Sequence, residues 1–352
     1  MNPPQTRIAR YEAVSAALAR LDDRHLADRL DRAPIVASGI GGPAVRIDIA
    51  DTPVFAKRIA LTDVDCRPEN VGSTANLFGI PTFCQYGVGA IGGPGFGGWR
   101  ELAANTMTTE WVRSGQCAGF PLMYHWRVLP GTTPTPEEHS DVDAVVRYWD
   151  GSDAVRARLE ALAGSSAVLV LFLEYVPLTL RDWLAERLAA GAVESACAML
   201  ERFRRTVAFM NVNGLVHFDA HLANVLTDGR QVYVTDLGLA TSERFELTGP
   251  EREFLRRHDT YDDCYVTTWL VNSLVMGLTG LVEWPGRFEY VRRCAENGVP
   301  ADLPAPAAAV IRRYAPVAVL MNDFCWQVSG TSRTTPYPAD ELRRACAAAL
   351  GW

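Results

Sequence analysis

Three side chains that carry hard oxygen atoms lie within residues 214–240. Asp219 is followed five residues later by Asn224, and Asp236 lies near the end of the stretch. A carboxylate can accept or orient an attacking hydroxyl, while an Asn and an Asp can hold Mg²⁺ against phosphate groups. The set therefore predicts a site for phosphoryl transfer from a nucleotide.

The sequence between Asn224 and Asp236 predicts how these side chains meet. Residues 225–227 and 232–235 are short β-branched runs, and an Asp-Gly dipeptide at 228–229 separates them. Asp-Gly between two apolar runs is a strong signal for a β-hairpin. Because a hairpin brings its two ends together, we expect Asn224 and Asp236 to face one site beside the preceding loop.

This stretch resembles the protein-kinase-like superfamily, which includes protein kinases and the aminoglycoside and choline kinases. The family pattern is His-x-Asp, an Asn five residues after that Asp, and then Asp-Phe-Gly. The matching residues are His217-Phe218-Asp219, Asn224 and Asp236-Leu237-Gly238. The resemblance implies that Asp219 is the base or hydroxyl-orienting residue. It also implies that Asn224 and Asp236 are metal ligands, with ATP and Mg²⁺ as cofactors.

Lys57 is the only lysine among the 34 Lys and Arg residues. A lysine in a chain that otherwise uses arginine suggests a compact point charge on a phosphate. Residues 54–57 resemble the kinase strand that carries the phosphate-binding lysine. The turn before it contains Gly39, Gly41 and Gly42, which would let backbone N–H groups approach phosphates. This turn departs from Gly-x-Gly-x-x-Gly, so its contact residues stay open.

The lysine of a kinase pairs with a glutamate on the next helix. Residues 99–113 predict that helix, and Glu101 is the expected partner of Lys57 because the amphipathic pattern begins there. Glu110 on the same helix is the competing candidate.

The apolar run at 167–177 predicts a buried strand. Its end resembles the kinase hinge, which implies that adenine bonds to the Glu174 carbonyl and the Val176 N–H. His221 lies two residues after Asp219, where protein kinases usually carry a Lys near the γ-phosphate and antibiotic and choline kinases often carry His. We therefore include His221 among the catalytic candidates.

The resemblance implies an α+β, bilobal protein-kinase-like fold with a small β-sheet N-lobe and a helical C-lobe. We expect residues 1–33 to be an N-terminal helical extension, residues 34–174 to be the N-lobe, and residues 175–352 to be the C-lobe with the catalytic loop. Two segments do not fit the family pattern and are interpreted as insertions, at 61–98 and 131–166.

Hydrophobic periodicity and turn residues predict the individual elements. Short strands are expected within 34–60, at 118–129 and at 167–177. Helices are expected at 6–32, 99–113, twice within 131–166, and at 178–188, 193–213, 262–278, 286–297, 304–328 and 339–350.

The insertion at 61–98 is rich in Pro and Gly. Residues 87–92 match a dinucleotide-binding fingerprint literally, but Gly-Pro-Gly at 93–95 stands where its helix should begin, so we reject that interpretation. Two interpretations of the insertion stay open: a flexible loop, or a lid over the nucleotide or the acceptor.

Composition excludes several classes of protein. The net charge of −7 gives no electrostatic footprint for nucleic acid. No apolar run is long and uncharged enough to span a bilayer, and the first residues lack the apolar core of a signal peptide. The eight cysteines are scattered without a Cys-x-x-Cys motif. We therefore expect a cytoplasmic protein with reduced thiols and no membrane or nucleic-acid partner.

These observations predict a Mg·ATP-dependent phosphotransferase that acts on a hydroxyl-bearing acceptor. The short connection from residue 174 through two helices to Asp219 looks like a protein kinase, and the prediction leans to a protein or peptide Ser/Thr. His221, and Phe218 where many protein kinases carry Arg, look like small-molecule kinases, which is the alternative. A nucleotide-binding pseudokinase that acts as an interaction module is the alternative from another class.

Overall fold

The structure is a computed structural model, and it describes residues 4–37 and 42–351. The predicted phosphate contacts Gly39 and Gly41 lie outside the described residues. The helices are α1 (Pro4–Arg20), α2 (Asp23–Arg32), α3 (Gly98–Arg113), α4 (Val142–Tyr148), α5 (Asp153–Ala163), α6 (Leu180–Ala189), α7 (Val193–Val212), α8 (Gly249–Arg257), α9 (Tyr261–Thr279), α10 (Trp284–Asn297), α11 (Ala305–Gly330) and α12 (Ala339–Cys346), which a π-helical turn (Ala347–Gly351) extends. The strands are β1 (Ile35–Ala37), β2 (Ala44–Ile49), β3 (Thr52–Leu61), β4 (Met123–Pro130), β5 (Ala167–Glu174), β6 (Leu178–Thr179), β7 (Leu215–Val216), β8 (Val225–Thr227), β9 (Val232–Val234) and β10 (Thr241–Ser242).

The first part of the chain builds a five-stranded antiparallel sheet in the order β1-β2-β3-β5-β4. The strands predicted within 34–60 are present as β1, β2 and β3. Strand β3 lies in the middle, paired with β2 on one side and β5 on the other. Nearly every side chain of β5 is buried, as its continuous apolar sequence predicts for a strand covered on both faces. The fold is therefore α+β, with a small antiparallel sheet followed by a helical part.

The prediction of one helix over residues 6–32 is wrong, because the structure has two. The chain leaves α1 after Arg20, and Asp22 caps α2 by accepting a hydrogen bond from the His25 N–H at 2.9 Å. An Asp at this position satisfies one of the N–H groups that a helix start leaves free. The break lets Leu18 of α1 and Leu26 of α2 both bury their side chains in the main core.

The predicted strand at 118–129 begins later, at Met123. A helix also occurs where none was predicted, because α8 lies within the segment after Asp236. Thr248 and Glu251 form a reciprocal capping box at its start, and Pro250 occupies its first turn. These residues are a recognisable helix signal that the sequence interpretation did not use.

The helical part packs around α9 and α11. Val271 and Leu274 of α9, and Ala318 and Met321 of α11, have no more than 1% of their surface exposed. The core that contains them continues into the first sheet through buried residues of β2, β3 and β5. Hairpin β8–β9 lies at this junction, where β8 also pairs with β6.

The insertion at 61–98 has no long element, as its Pro and Gly content predicts, but it is packed. Its Ile80, Cys84 and Phe96 form a separate hydrophobic cluster with residues of α4 and α5 and with Trp149 between them. The two insertions therefore support each other. Within the residues described, no single helix has the length and apolar composition needed to cross a membrane, and one bent pair, α9 with α10, passes by length and composition only.

Candidate active site

The hairpin holds Asn224 and Asp236 side by side. Val225 pairs with Val234, and the Thr235 N–H donates to the Asn224 carbonyl at 3.0 Å. Asp236 is the next residue and takes a left-handed conformation with φ 57°. Non-glycine residues adopt this region rarely, and functional sites are enriched in such strained positions. The backbone at the end of β9 therefore turns sharply at Asp236.

A buried carboxylate fixes the loop before the hairpin. Asp262, at the start of α9, accepts hydrogen bonds from the His217 N–H at 2.6 Å and the Phe218 N–H at 2.9 Å. Phe218 is also left-handed, with φ 63°. His217 is fully buried, and its Nε2 lies 2.9 Å from the Thr235 carbonyl. These contacts set the position of Asp219, and His217 has a structural role.

Lys57 connects the sheet to the hairpin. Its Nζ donates to Glu101 Oε1 and to Asp236 Oδ1, each at 2.7 Å. Of the two glutamates considered on α3, Glu101 is therefore the partner. Glu110 lies at the surface 3.4 Å from Arg113.

The charges of this triad stabilise each other. Burial alone would lower the pKa of Lys57, but Asp236 and Glu101 together raise it above its ordinary value. The Lys57 charge holds the pKa of Asp236 below the usual range. Burial raises the pKa of Glu101, an effect that Lys57 offsets only in part. Lys57 is therefore a permanent cation at this site.

Asp219 lies against the hairpin, and its two carboxylate oxygens differ: one is hydrogen-bonded and the other is buried without a partner among the described residues. Its Oδ2 accepts from Asn224 Nδ2 at 2.9 Å. Its Oδ1 is buried and has no hydrogen-bond partner within the described part of the chain. Burial, and then the Asp236 charge, raise the pKa of Asp219 well above its ordinary value. A carboxylate in this environment is a stronger base than an ordinary Asp.

His221 lies beside Asp219, with its Nε2 3.7 Å from Asp219 Oδ2. Burial, and then the neighbouring His217, lower the pKa of His221 to about 4. His221 is therefore neutral near pH 7. Its Nδ1 accepts from the Ala223 N–H at 3.2 Å, so the proton of the neutral ring is on Nε2. His221 can donate a hydrogen bond toward the site but does not supply a charge.

Two oxygen atoms are available to a cation. Asp236 uses Oδ1 for Lys57, and Asn224 uses its amide nitrogen for Asp219, so Asp236 Oδ2 and Asn224 Oδ1 take no hydrogen bond from a described residue. Both residues line the same cavity. Two hard oxygen donors suit Mg²⁺, which keeps waters and phosphate oxygens as its other ligands. Among the described residues, no group of three or more His, Cys, Asp or Glu could hold a metal by itself.

One cavity of about 800 Å³ is lined by the charged and polar side chains that could act on a ligand: Lys57, Glu101, Asp219, His221, Asn224 and Asp236. Gly42, Glu174 and Val176 also line it. Gly42 has φ 98°, and a Cβ there would lie 2.2 Å from the Arg58 carbonyl oxygen, so only glycine fits. The Val176 N–H makes no hydrogen bond within the residues described. Except for Gly39 and Gly41, the structure therefore brings every predicted site residue to one cavity.

The Glu174 side chain is held from outside the cavity by a residue that the sequence interpretation missed. Arg7 of α1 donates through Nε to both carboxylate oxygens, at 3.0 and 2.9 Å. The Arg7 guanidinium also donates to the Ala118 and Phe120 carbonyls. Both charged side chains are buried. No local pattern links residues so far apart in the chain.

Gly87, in the first insertion, is the second residue near the site that the sequence interpretation did not predict. A Cβ at Gly87 would lie 2.1 Å from Asp219 Oδ1, so its backbone passes directly over the carboxylate. The sequence signal, one glycine among many in residues 87–98, does not distinguish it.

No protein-family model matches this chain, and a search of curated proteins finds no significant match.

Proposed function

We propose that this protein is a Mg·ATP-dependent phosphotransferase of the protein-kinase-like type. One observation carries the proposal: Lys57 bridges Glu101 and Asp236 in a cavity that also contains Asp219 and Asn224. A lysine held by two carboxylates is a rigid cation for a phosphate chain. A third carboxylate, Asp219, and the amide of Asn224 beside it complete the group that phosphoryl transfer requires.

The architecture supports a bilobal kinase-like arrangement. In this proposal the five-stranded sheet with α3 would be the N-lobe, and the helices from α6 onward would be the C-lobe. Residues 174–176 would be the hinge between them. Because Arg7 holds the Glu174 side chain, adenine would bond to the backbone there, to the Glu174 carbonyl and the Val176 N–H.

The phosphates would extend from the hinge toward Lys57. Asn224 Oδ1 and Asp236 Oδ2 would hold Mg²⁺, which when bound neutralises negative charge on the phosphates. Lys57 would bind the α- and β-phosphates. His221, neutral and protonated on Nε2, can donate a hydrogen bond at the same end of the cavity.

Asp219 would orient the acceptor hydroxyl and take its proton. The hydroxyl oxygen forms a bond to the γ-phosphorus as the bond from that phosphorus to the ADP oxygen breaks. Asp219 then releases the proton to water. Positioning and fixed charge provide most of the rate enhancement in such a reaction.

The test uses purified protein, γ-labelled ATP and a cell lysate as the source of acceptors. Lys57→Met and Asp219→Asn are compared with the wild type and with Asp48→Asn, which alters an exposed carboxylate on β2. We expect label transfer by the wild type and by Asp48→Asn, and none above background by the other two. Asp219→Asn should still bind Mg·ATP, measured by calorimetry.

Three results would contradict the proposal or one of the residue roles in it. Equal transfer by the wild type and Lys57→Met would remove the role of the lysine. Binding of Mg·ATP by the wild type with no Asp219-dependent consumption of ATP would indicate a pseudokinase. Loss of nucleotide binding in Asp219→Asn alone would make Asp219 a structural residue.

A further inference from the structure

The cavity continues beyond the phosphate-binding lysine. Three positions on strand β3 mark the length of the cavity. Val54 lies opposite Glu174 at the hinge, Lys57 is three residues further along the strand, and Ala60 is three residues beyond Lys57, opposite Val168. At about 3.3 Å per residue, Lys57 is roughly 10 Å from the hinge end of the strand and Ala60 roughly 20 Å. Ala60 still lines the cavity. The cavity therefore extends past the position at which the phosphate chain would meet Lys57.

The two insertions enclose this far end, which we call the distal chamber. The wall from the first insertion is residues 92–98, and the walls from the second are residues 133–136 and one face of α5 that includes Leu159 and Leu162. Glycine, proline and aliphatic side chains make up most of this lining. The chamber is therefore mainly apolar.

The charged and polar side chains in the chamber already have bonding partners. Arg158 Nη1 lies 3.0 Å from Asp65 Oδ2, and both side chains are buried. Glu138 Oε2 accepts from the Gly92 N–H at 2.7 Å, and His139 Nε2 lies 2.9 Å from the Gly92 carbonyl. Among the described lining residues of the chamber, Glu138 has this hydrogen bond but no cationic partner, and Arg158 is paired with Asp65, so no free cation is left for an anionic ligand.

The other approach to Asp219 is closed by residues 85–88. The Gly87 backbone covers Oδ1 of Asp219, because a Cβ added at Gly87 would lie only 2.1 Å from that oxygen. A Ser or Thr in an extended peptide needs open space for the chain on both sides of its hydroxyl. The backbone at Gly87 occupies that space on one side of the carboxylate.

Contacts on both sides hold Gly87 in place. The Tyr86 hydroxyl lies 2.6 Å from His258 Nε2, and the Tyr86 ring packs on Tyr261 and Phe324. The Val88 carbonyl accepts a hydrogen bond from Arg333. These residues belong to the helical core, so the segment forms a fixed wall.

Arg333 is itself buried, with its guanidinium 4.1 Å from the ring centroids of both Tyr148 and Trp149. Cation–π contacts of this kind stabilise a guanidinium that has no carboxylate partner. Moving the segment would therefore break its contacts with α8, α9, α11 and Arg333 in the chain after α11.

We propose that the distal chamber is the acceptor site and that it takes a compact, uncharged alcohol. The inference depends on the proposed phosphotransferase function. The alcohol would enter through the shared cavity, with its apolar part between α5 and residues 133–136 and its hydroxyl toward Asp219. Its oxygen would attack the γ-phosphorus, the bond to ADP would break, and Asp219 would take the hydroxyl proton. This assignment reverses the lean of the sequence toward a protein or peptide Ser/Thr.

The test measures ADP release from Mg·ATP with two sets of acceptors. One set is a panel of neutral primary and secondary alcohols below about 300 Da, linear, branched and cyclic, in keeping with a ligand-sized cavity. The other is a library of Ser- and Thr-containing peptides. Leu162→Trp fills the chamber, and its matched control, Ala157→Trp, adds the same side chain on an exposed face of the same helix. Thr133→Tyr narrows the chamber from another wall if Leu162→Trp does not fold.

We expect at least one neutral alcohol to stimulate Asp219-dependent ADP release. Leu162→Trp should lower kcat/KM for that alcohol by about tenfold or more, while KM for Mg·ATP changes by less than about twofold. Ala157→Trp should behave like the wild type. Stimulation by peptides alone, or by an alcohol with equal kcat/KM in Leu162→Trp and Thr133→Tyr, would overturn the assignment.

The basal reaction separates this inference from the function on which it depends. Asp219-dependent ATP hydrolysis without stimulation by any neutral alcohol would overturn the acceptor assignment and leave the phosphotransferase in place. Absence of any Asp219-dependent ATP consumption, with or without acceptors, would overturn both.

Discussion

Two buried charged groups lie along one cavity, one at the hinge and one at Lys57, and they differ in which of their oxygen atoms remain without a hydrogen bond. At the hinge end, Arg7 donates to both oxygens of Glu174 and to two backbone carbonyls, and Glu174 also accepts from the Leu122 N–H. At the second group, Lys57 holds Glu101 and Asp236, yet one oxygen of Asp236 has no hydrogen bond from a described residue and 49% of the Asp236 side chain is exposed.

This difference separates a structural ion pair from a binding site. A buried pair whose donors and acceptors are all used fixes the geometry, and its loss leaves an uncompensated buried charge. A pair with an unused oxygen on a cavity can still bind a ligand. The hinge-end pair should therefore affect mainly stability, and the Lys57 group mainly turnover.

The largest expected effect is on turnover at the Lys57 end. Asp236→Asn keeps the shape of the side chain but removes the charge that would hold a cation, so phosphoryl transfer should fall by roughly a thousandfold or more. The circular dichroism spectrum and the cooperative unfolding transition should stay close to those of the wild type. Transfer within about tenfold of the wild type would place the metal elsewhere.

Arg7→Met tests the hinge end and should give the opposite pattern. It leaves Glu174 buried without its cation, so the free energy of unfolding should fall by about 3 kcal/mol, measured by urea denaturation. Turnover per folded molecule should change much less than in Asp236→Asn. Arg10→Met, on the same helix, is the control, because Arg10 makes no salt bridge within the residues described. Equal destabilisation by both variants would mean that general packing of α1, and not the ion pair, matters.

Glu101→Gln sharpens the comparison within the Lys57 group. The amide can still accept from Lys57 but no longer balances its charge, so transfer should fall by about tenfold to a hundredfold. Glu110→Gln on the same helix should stay within about twofold of the wild type, because within the residues described the Glu110 carboxylate bonds only to Arg113 at the surface. Steady-state kinetics with Mg·ATP as the varied substrate distinguish the two variants. Similar losses in both would exclude Glu101 as the specific partner of Lys57.

The smallest effect concerns stability and has a definite pH dependence. The pKa of Asp219 is raised by burial and by Asp236, so the folded protein binds more protons than the unfolded one between the ordinary pKa of Asp, about 3.9, and the raised value. Stability therefore falls as pH rises through that window. Asp219→Asn cannot ionise and should melt about 2 °C or more above the wild type at pH 7. The difference in melting temperature between Asp219→Asn and the wild type should shrink as the pH falls toward 4. A difference that does not change with pH would contradict the raised pKa of Asp219.

The sequence predicts the Lys57 end of the cavity far better than the hinge-end contacts. Asp219, Asn224 and Asp236 lie within one stretch, so a hairpin signal of two residues is enough to bring Asn224 and Asp236 together. The presence of Lys57 in the site is predicted because it is the only lysine of the chain and because residues 54–57 resemble the strand that carries the phosphate-binding lysine in kinases. The boundaries of α7 follow from apolar residues at helical spacing, and those of α9 follow from a continuous apolar run; both are local properties of the sequence.

The contacts that the sequence does not reveal join distant segments. Arg7 meets Glu174, and Gly87 covers Asp219, only because separate elements pack together. Neither contact has a characteristic spacing, and a single glycine in a glycine-rich insertion has no local signature. The glycine content of residues 61–98 suggests flexibility, whereas the structure shows an irregular segment fixed by Tyr86 and Arg333. Side-chain anchors at a few points can order a segment that has almost no secondary structure.

The position of Lys57 also makes this chain unusual as a target for proteases. A lysine-specific endoprotease has one side chain to recognise, and that residue lies in the middle of β3, hydrogen-bonded to strands on both sides. Cleavage therefore requires the sheet to open, and the cleavage rate measures how often it does so. A ligand that binds at Lys57 should slow the cut in proportion to its occupancy. A single digestion reaction can thus report sheet opening and occupancy of the cavity in the unmodified protein.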